Sequence, residues 1–315
     1  MSDLEETKVT TATIPKLTSS KLDMDDSPDA FGELRSSASV VNEPDELRRR
    51  MGEDGYLFLP GCLSRDEVMA ARAEITDRLA REGLLNPAYP AIESVVRAGV
   101  NLSFKPDLAE NNAPLYQLLY GGAMMRIYER LLGGAVRHFD FTWMRAVAPG
   151  HATQPHCDIV YMGRGTTNLY TSWTPLGDVP LRMGGLMILE GSHRHERLRN
   201  GYGRKDVDTY CVTRRDGPSP HLGGGGTIAA GGVLSPNPVK LRERLGGRWI
   251  TADYAAGDLL IFSMYTVHAS LDNHTDRIRL SSDTRYQLAS DPVDERWIGE
   301  RPIAHGAAAK RSFIC

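Results

Sequence analysis

Apolar positions along the chain change period once, from helical to strand-like. In GYLFLPG an apolar run between breakers predicts a short strand. Ser64 and Glu67 then form a Ser-x-x-Glu capping box, and Val68, Ala71, Ile75 and Leu79 recur at helical spacing until Gly83 ends the pattern. A second helix is predicted in PLYQLLYGGAMMRIYERLLGG, with Pro114 in its first turn and Gly133 past its end. From residue 136 the period falls towards two. Strands are predicted near 136–148, 155–162, 167–175, 185–190, 258–263 and 277–287. Helices first and strands afterwards predict an α+β fold, mainly β: a sandwich or barrel with helices packed outside one sheet.

The flanks are less patterned. Residues 1–42 are rich in Ser, Thr, Asp and Glu with few large apolar residues, so a disordered arm is expected there. One domain is expected over 43–292, followed by a C-terminal tail at 293–315. Inside it, 199–250 fits no regular pattern and is expected to be a lid or insertion. Its GGGG at 223–226 lacks the Gly-Lys-Ser/Thr that would make a phosphate loop.

Composition narrows the functional classes. With 41% hydrophobic and 24% charged residues in 315, a substantial core is expected. A net charge of −3, with no basic stripe among aromatics, argues against nucleic acid as a partner. No apolar run approaches the roughly 20 residues of a membrane span, and the acidic start has no apolar signal core. The four cysteines form no CxxC pair, which points to a reducing cytoplasm.

The chemistry begins at QPHCDIVYM. On a strand, residues i and i+2 share a face, so His156 and Asp158 would project together with Cys157 turned away. Imidazole and carboxylate on one face, completed by a second imidazole, make the facial triad of non-haem Fe(II) oxygenases, which leaves coordination positions open. A solvated surface pair is the plainer alternative. The segment GDLLIFSMYTVHAS supplies a later imidazole, His268, and Arg279 and Ser281 follow on a predicted strand. There Arg279 and Ser281 share one face while Ile278 and Leu280 share the other. A guanidinium beside a hydroxyl suits a carboxylate. An outer strand with a solvated polar face would show the same alternation, since Arg277, Asp283 and Arg285 have the parity of Arg279.

The order His-x-Asp, distal His, Arg-x-Ser resembles the phytanoyl-CoA dioxygenase-like family of Fe(II)/2-oxoglutarate dioxygenases. GYLFLPGCLSRDEV, MGGLMILEGSH and GDLLIFSMYTVHAS carry the resemblance further, over about residues 45 to 290. It implies a double-stranded β-helix, or jelly roll. It also implies iron ligation by His156, Asp158 and His268, and binding of the 2-oxoglutarate distal carboxylate by Arg279 with Ser281. Trp173 stands where relatives place an aromatic beside the cosubstrate. Halogenating relatives lack the carboxylate ligand; with Asp158 intact, dioxygen is expected to serve hydroxylation of a small molecule. The Lys/Arg-rich run 192–215 would suit an anionic substrate, although a solvated face reads the same way. Two rivals are a cupin-like non-catalytic or zinc-binding module and an inactive scaffold. The Arg-x-Ser pair speaks against the first and the complete triad against the second.

Overall fold

The helical part of the chain lies against one face of the strand part. The computed structural model describes residues 16–213, 217–219 and 229–314. A hairpin, β1 (Thr18–Ser19) and β2 (Leu22–Asp23), and strand β3 (Phe31–Glu33) precede helix α1 (Pro44–Asp54) and strand β4 (Tyr56–Leu59). Helix α2 (Arg65–Arg81) starts where the sequence places it. Ser64 Oγ accepts from the Glu67 N–H at 3.3 Å, and Val68, Ala71, Ile75 and Leu79 are buried. The second predicted helix is two, α3 (Ala113–Tyr120) and α4 (Gly122–Leu132). Gly121 is extended between them, and Gly122 has φ +48°, a turn that glycine makes without a Cβ penalty.

Next come β5 (Val136–His138), β6 (Trp143–Val147), the single-turn helix α5 (Ile159–Met162), β7 (Leu169–Pro175), β8 (Leu186–Leu189) and helix α6 (Glu196–Asn200). Then follow β9 (Thr209–Thr213), β10 (Gly217–Ser219), α7 (Ala229–Gly232), α8 (Pro238–Leu245) and β11 (Trp249–Thr251). The chain ends in β12 (Leu259–Ser263), β13 (His268–Ser270), β14 (Arg279–Leu288) and β15 (Arg311–Ile314). The larger sheet runs β4-β12-β7-β14-β5, with β6 also paired to β14; the smaller runs β13-β8-β11-β3. Together they form the jelly roll. Phe58, Trp173, Ile188, Ile250 and Phe262 fill the space between the sheets. On the outer face of the larger sheet, Leu57, Leu59, Ile261 and Tyr286 meet Leu47, Ile75, Leu119 and Tyr128 from the four helices. Helices on one sheet are therefore observed as expected.

Four local readings are corrected. The span 136–148 is two strands, interrupted at 139–142. The span 155–162 is not a strand: Asp158 is helical (φ −68°, ψ −25°) and opens α5. In the arm expected to be disordered, residues 16–42 are ordered; residues 1–15 lie outside the described residues. Strand β3 adds in parallel to β11, and the β1–β2 hairpin hangs on Asp272, whose Oδ2 accepts from Thr18 Oγ1 (2.6 Å) and Lys21 N–H (2.8 Å). Such anchoring is made by hydrogen bonds to distant residues, which leaves no hydrophobic period to read.

The fourth concerns 199–250, whose residues 214–216 and 220–228, with the GGGG run, lie outside the described residues. Its end has regular structure. Asn237 Oδ1 caps α8 at Lys240 N–H (2.9 Å), Pro238 opens the helix, and Leu241 and Trp249 are buried. The tail is likewise integral. Asp208, with a fully buried side chain, meets Arg296 (2.7 Å), His305 (2.8 Å) and Lys310 (2.7 Å), so residues 296–310 are clasped to the stretch after α6. Burial alone would raise the Asp208 carboxyl, but His305, Lys310 and Arg296 outweigh it and hold it well below the usual range. Asp208→Asn is expected to destabilise the fold by about 3 kcal/mol, the cost of breaking a buried pair. Because the carboxylate form is the stabilised one, the melting difference from wild type should shrink as pH falls below about 4. Among the described residues no helix is long and apolar enough to cross a membrane.

Candidate metal centre and cavity

His156 and His268 are brought together by backbone pairing. His156 N–H donates to His268 O (3.1 Å), and His268 N–H donates to His156 O (3.0 Å). Their rings lie 4.2 Å apart, centroid to centroid. The turn into α5 then swings Asp158 to the same point: its Oδ1 is 3.8 Å from His156 Nε2 and 3.6 Å from His268 Nε2. One ligand atom from each of the three residues lies within 4.8 Å of the others, and all three residues are buried. The ligand set inferred from the sequence thus converges, through a different local element from the one expected.

The outer contacts aim these atoms. His156 Nδ1 is 2.8 Å from Gln154 O and His268 Nδ1 is 3.1 Å from Thr266 O. A carbonyl only accepts, so both Nδ1 atoms donate and both Nε2 atoms face the shared point. Burial, followed by the neighbouring His268, pushes the His156 pKa down to about 3, so its imidazole is neutral at physiological pH. Burial alone would raise the Asp158 carboxyl; Arg285, then His268 and His156, outweigh it and hold it well below the usual carboxylate range. Asp158 Oδ2 accepts from Thr171 Oγ1 and from Arg285 Nη2 (2.8 Å), leaving Oδ1 towards the imidazoles. Two imidazoles and one carboxylate oxygen, all desolvated, suit a divalent iron centre held on one side only.

The predicted cosubstrate residues face the space between the sheets. Arg279, Ser281, Asp283, Arg285 and Gln287 alternate along β14 and are all buried, so the solvated-strand alternative does not hold. Arg279 Nη1 donates to Gly184 O (2.7 Å), and Trp173 lies 5.9 Å from the guanidinium carbon. Gly184 has φ +81°, and a Cβ there would come within 2.4 Å of Leu271 O, so only glycine presents that carbonyl. Among the described residues no carboxylate lies within ion-pair distance of Arg279. Burial, then Arg145, lowers its pKa to about 10, which leaves it charged. On the same face Ser281 Oγ is buried and finds no partner among the described residues. Arg277 belongs elsewhere: it is 41% exposed and pairs with Glu93 at 3.0 Å.

A cavity of about 640 Å³ opens beside His156 and Asp158. Its apolar wall includes Phe141, Trp143, Tyr161 and Trp297; Lys21, Arg145 and Arg285 line it with the carboxylates Asp158 and Asp272, and Arg145 is paired with Asp283 and Arg285 with Asp158. Tyr161 stands edge-on to His156 at 5.6 Å, and Trp143 and Trp297 pack at 4.7 Å. His305, which also lines it, is held by Asp208. The sequence reading missed Lys21, Arg145, Thr171, Arg285, Trp297 and His305. Strand parity puts Arg285 on the face of Arg279 without giving it a role; the others carry no local signal, because they reach the cavity only through the fold.

Comparison with known proteins agrees with this geometry. The family profile described as phytanoyl-CoA dioxygenase (PhyH) matches residues 51–281. Among characterised proteins, a 1-deoxypentalenic acid 11-beta-hydroxylase from Streptomyces exfoliatus is 24% identical over 279 residues, covering 83% of this chain and 87% of the relative. Among solved structures, the epimerase SnoN in complex with Fe3+, alpha ketoglutarate and nogalamycin RO aligns with TM-score 0.54 and 22% identity, over 84% of this chain and 95% of that one. EctD from S. alaskensis aligns with TM-score 0.54 and 17% identity, over 95% and 98%. At these identities the two structures speak for the fold.

Proposed function

The chain belongs to the phytanoyl-CoA dioxygenase family and is a 2-oxoglutarate-dependent non-haem iron oxygenase, and from that premise we propose that it hydroxylates an unactivated C–H bond of an apolar small molecule, releasing succinate and CO2. The observation that carries this reading is the convergence of His156 Nε2, His268 Nε2 and Asp158 Oδ1, with His156 and Asp158 lining an aromatic cavity. In it, His156, Asp158 and His268 hold the iron. Bound iron would supply the activation of dioxygen, coupled to oxidative decarboxylation of 2-oxoglutarate.

The chain's own residues bind, orient and exclude water. Arg279, buried and without a carboxylate partner, takes the distal carboxylate of 2-oxoglutarate; Ser281 and Trp173 complete that end. A buried cation lacking an anion is costly, and this speaks against a non-catalytic or zinc-binding module that would never fill the position. The wall of Phe141, Trp143, Tyr161 and Trp297 takes the apolar body of the substrate and keeps water from the reacting carbon. Lys21 suits an acidic substituent, in keeping with the relative named for 1-deoxypentalenic acid. The family does not transfer its founding substrate. The free thiols of Cys62 and Cys157 support a cytoplasmic setting.

The test supplies purified protein with Fe(II), ascorbate, 2-oxoglutarate and a panel of carbocyclic acids. Succinate should form stoichiometrically with a product one oxygen heavier, and a chelator should stop both. Consumption of 2-oxoglutarate that ignores the chelator would sink the reading.

A further inference from the structure

Asp158 is held by two donors that face each other across the sheet. Arg285 on β14 is the register partner of Thr171 on β7, and both side chains end on Asp158 Oδ2. Arg285 is 2% exposed, and its guanidinium carbon lies 3.9 Å from the centre of the Trp143 ring, which supports it from the β6 side. Its Nε and Nη1 find no acceptor among the described residues, so Asp158 is the anion that neutralises it. It also lies beyond the family-matched residues 51–281.

We propose that Arg285 is a positioning residue for the metal: with Thr171 it locks Asp158 Oδ2 and leaves Oδ1 as the only carboxylate oxygen free to bind. The inference rests on the iron reading above. Its physical basis is a choice open to any carboxylate, which can offer a metal one oxygen or two. Two donors on Oδ2 settle that choice, and positions that a second oxygen would take stay available to the cosubstrate. Arginine suits the task because it is always charged and its flat face stacks on an indole. Thr171 alone supplies one neutral donor.

The test needs no substrate and no turnover. Mn(II) alone is titrated into the protein, and the free-ion paramagnetic resonance signal reports what remains unbound. Arg285→Gln is expected to weaken Mn(II) about 10–100-fold, the usual cost of losing an outer partner of a metal ligand. Arg285→Lys should recover part of this, and Thr171→Val should show a smaller loss in the same direction. In the Co(II)-loaded protein, the ligand-field spectrum should change in Arg285→Gln and move back towards wild type in Arg285→Lys. A merely structural arginine would not produce that graded spectral change. If Arg285→Gln folds, binds Mn(II) like wild type and leaves the Co(II) spectrum unaltered, the proposal fails. Should that variant not fold, wild-type affinity and spectra in both Arg285→Lys and Thr171→Val overturn it equally. Wild-type protein that takes up no Mn(II) and no Fe(II) would instead remove the iron reading, and this proposal with it.

Discussion

Alanine at His156, Asp158 or His268 is expected to remove 2-oxoglutarate-dependent succinate formation, each alone by more than about a hundredfold. Outer partners of metal ligands are commonly worth about 10–100-fold, and a ligand should exceed them. Metal content after Fe(II) loading should fall in parallel. The three variants should nevertheless differ in stability. Asp158→Ala strands Arg285, whose side chain is 3% exposed, without its carboxylate, which costs about 3–5 kcal/mol in a buried pair. His156→Ala removes an imidazole that burial already keeps neutral, so no charge is stranded. Denaturant unfolding of the metal-free proteins checks this ordering. Near-normal turnover in any two of the three variants would remove the ligand assignment.

Arg279→Ala should raise the 2-oxoglutarate concentration needed for half-maximal succinate formation by about 30-fold or more. Loss of one partner from a desolvated charge pair costs roughly 2–5 kcal/mol, and each 1.4 kcal/mol is about tenfold. The site supports the large end of the effect: Arg279 is 1% exposed, and one of its nitrogens is already aligned by Gly184 O. Arg279→Lys should recover only part, since an ammonium lacks the planar fork. Arg277→Ala should change little, because Arg277 sits outside the barrel in an exposed pair with Glu93. Titrating 2-oxoglutarate against the three variants decides the matter. A larger penalty for Arg277→Ala would refute the placement of the cosubstrate on the inner face of β14.

Some of this was already determined by sequence because it depends on near neighbours. The α2 cap at Ser64, the period of Val68 to Leu79, and the alternation of Arg279 and Ser281 with Leu280 are local facts, and they hold in the structure. The α8 signals, Asn237 followed by Pro238, are equally local, although the stretch around them shows no regular pattern. The His-x-Asp pair does meet His268, but not by the strand geometry expected. Strand parity does not place Asp158 beside His156; the helical turn at Asp158 and the pairing of His156 with His268 do.

The sidedness of β14 was beyond the sequence. Alternation says which residues share a face and nothing about what covers it, so a buried polar stripe and a solvated one read alike. Here both faces are covered. Leu280 and Tyr286 meet the helices, while Arg279, Asp283 and Arg285 are enclosed between the sheets, where an unpaired charge is costly. Arg285 finds Asp158 and Arg145 finds Asp283, pairs separated by 127 and 138 positions along the chain. Lys21 and Trp297, from opposite ends of the chain, reach the same cavity. Such meetings depend on how two sheets close on each other, and only the tertiary structure decides that.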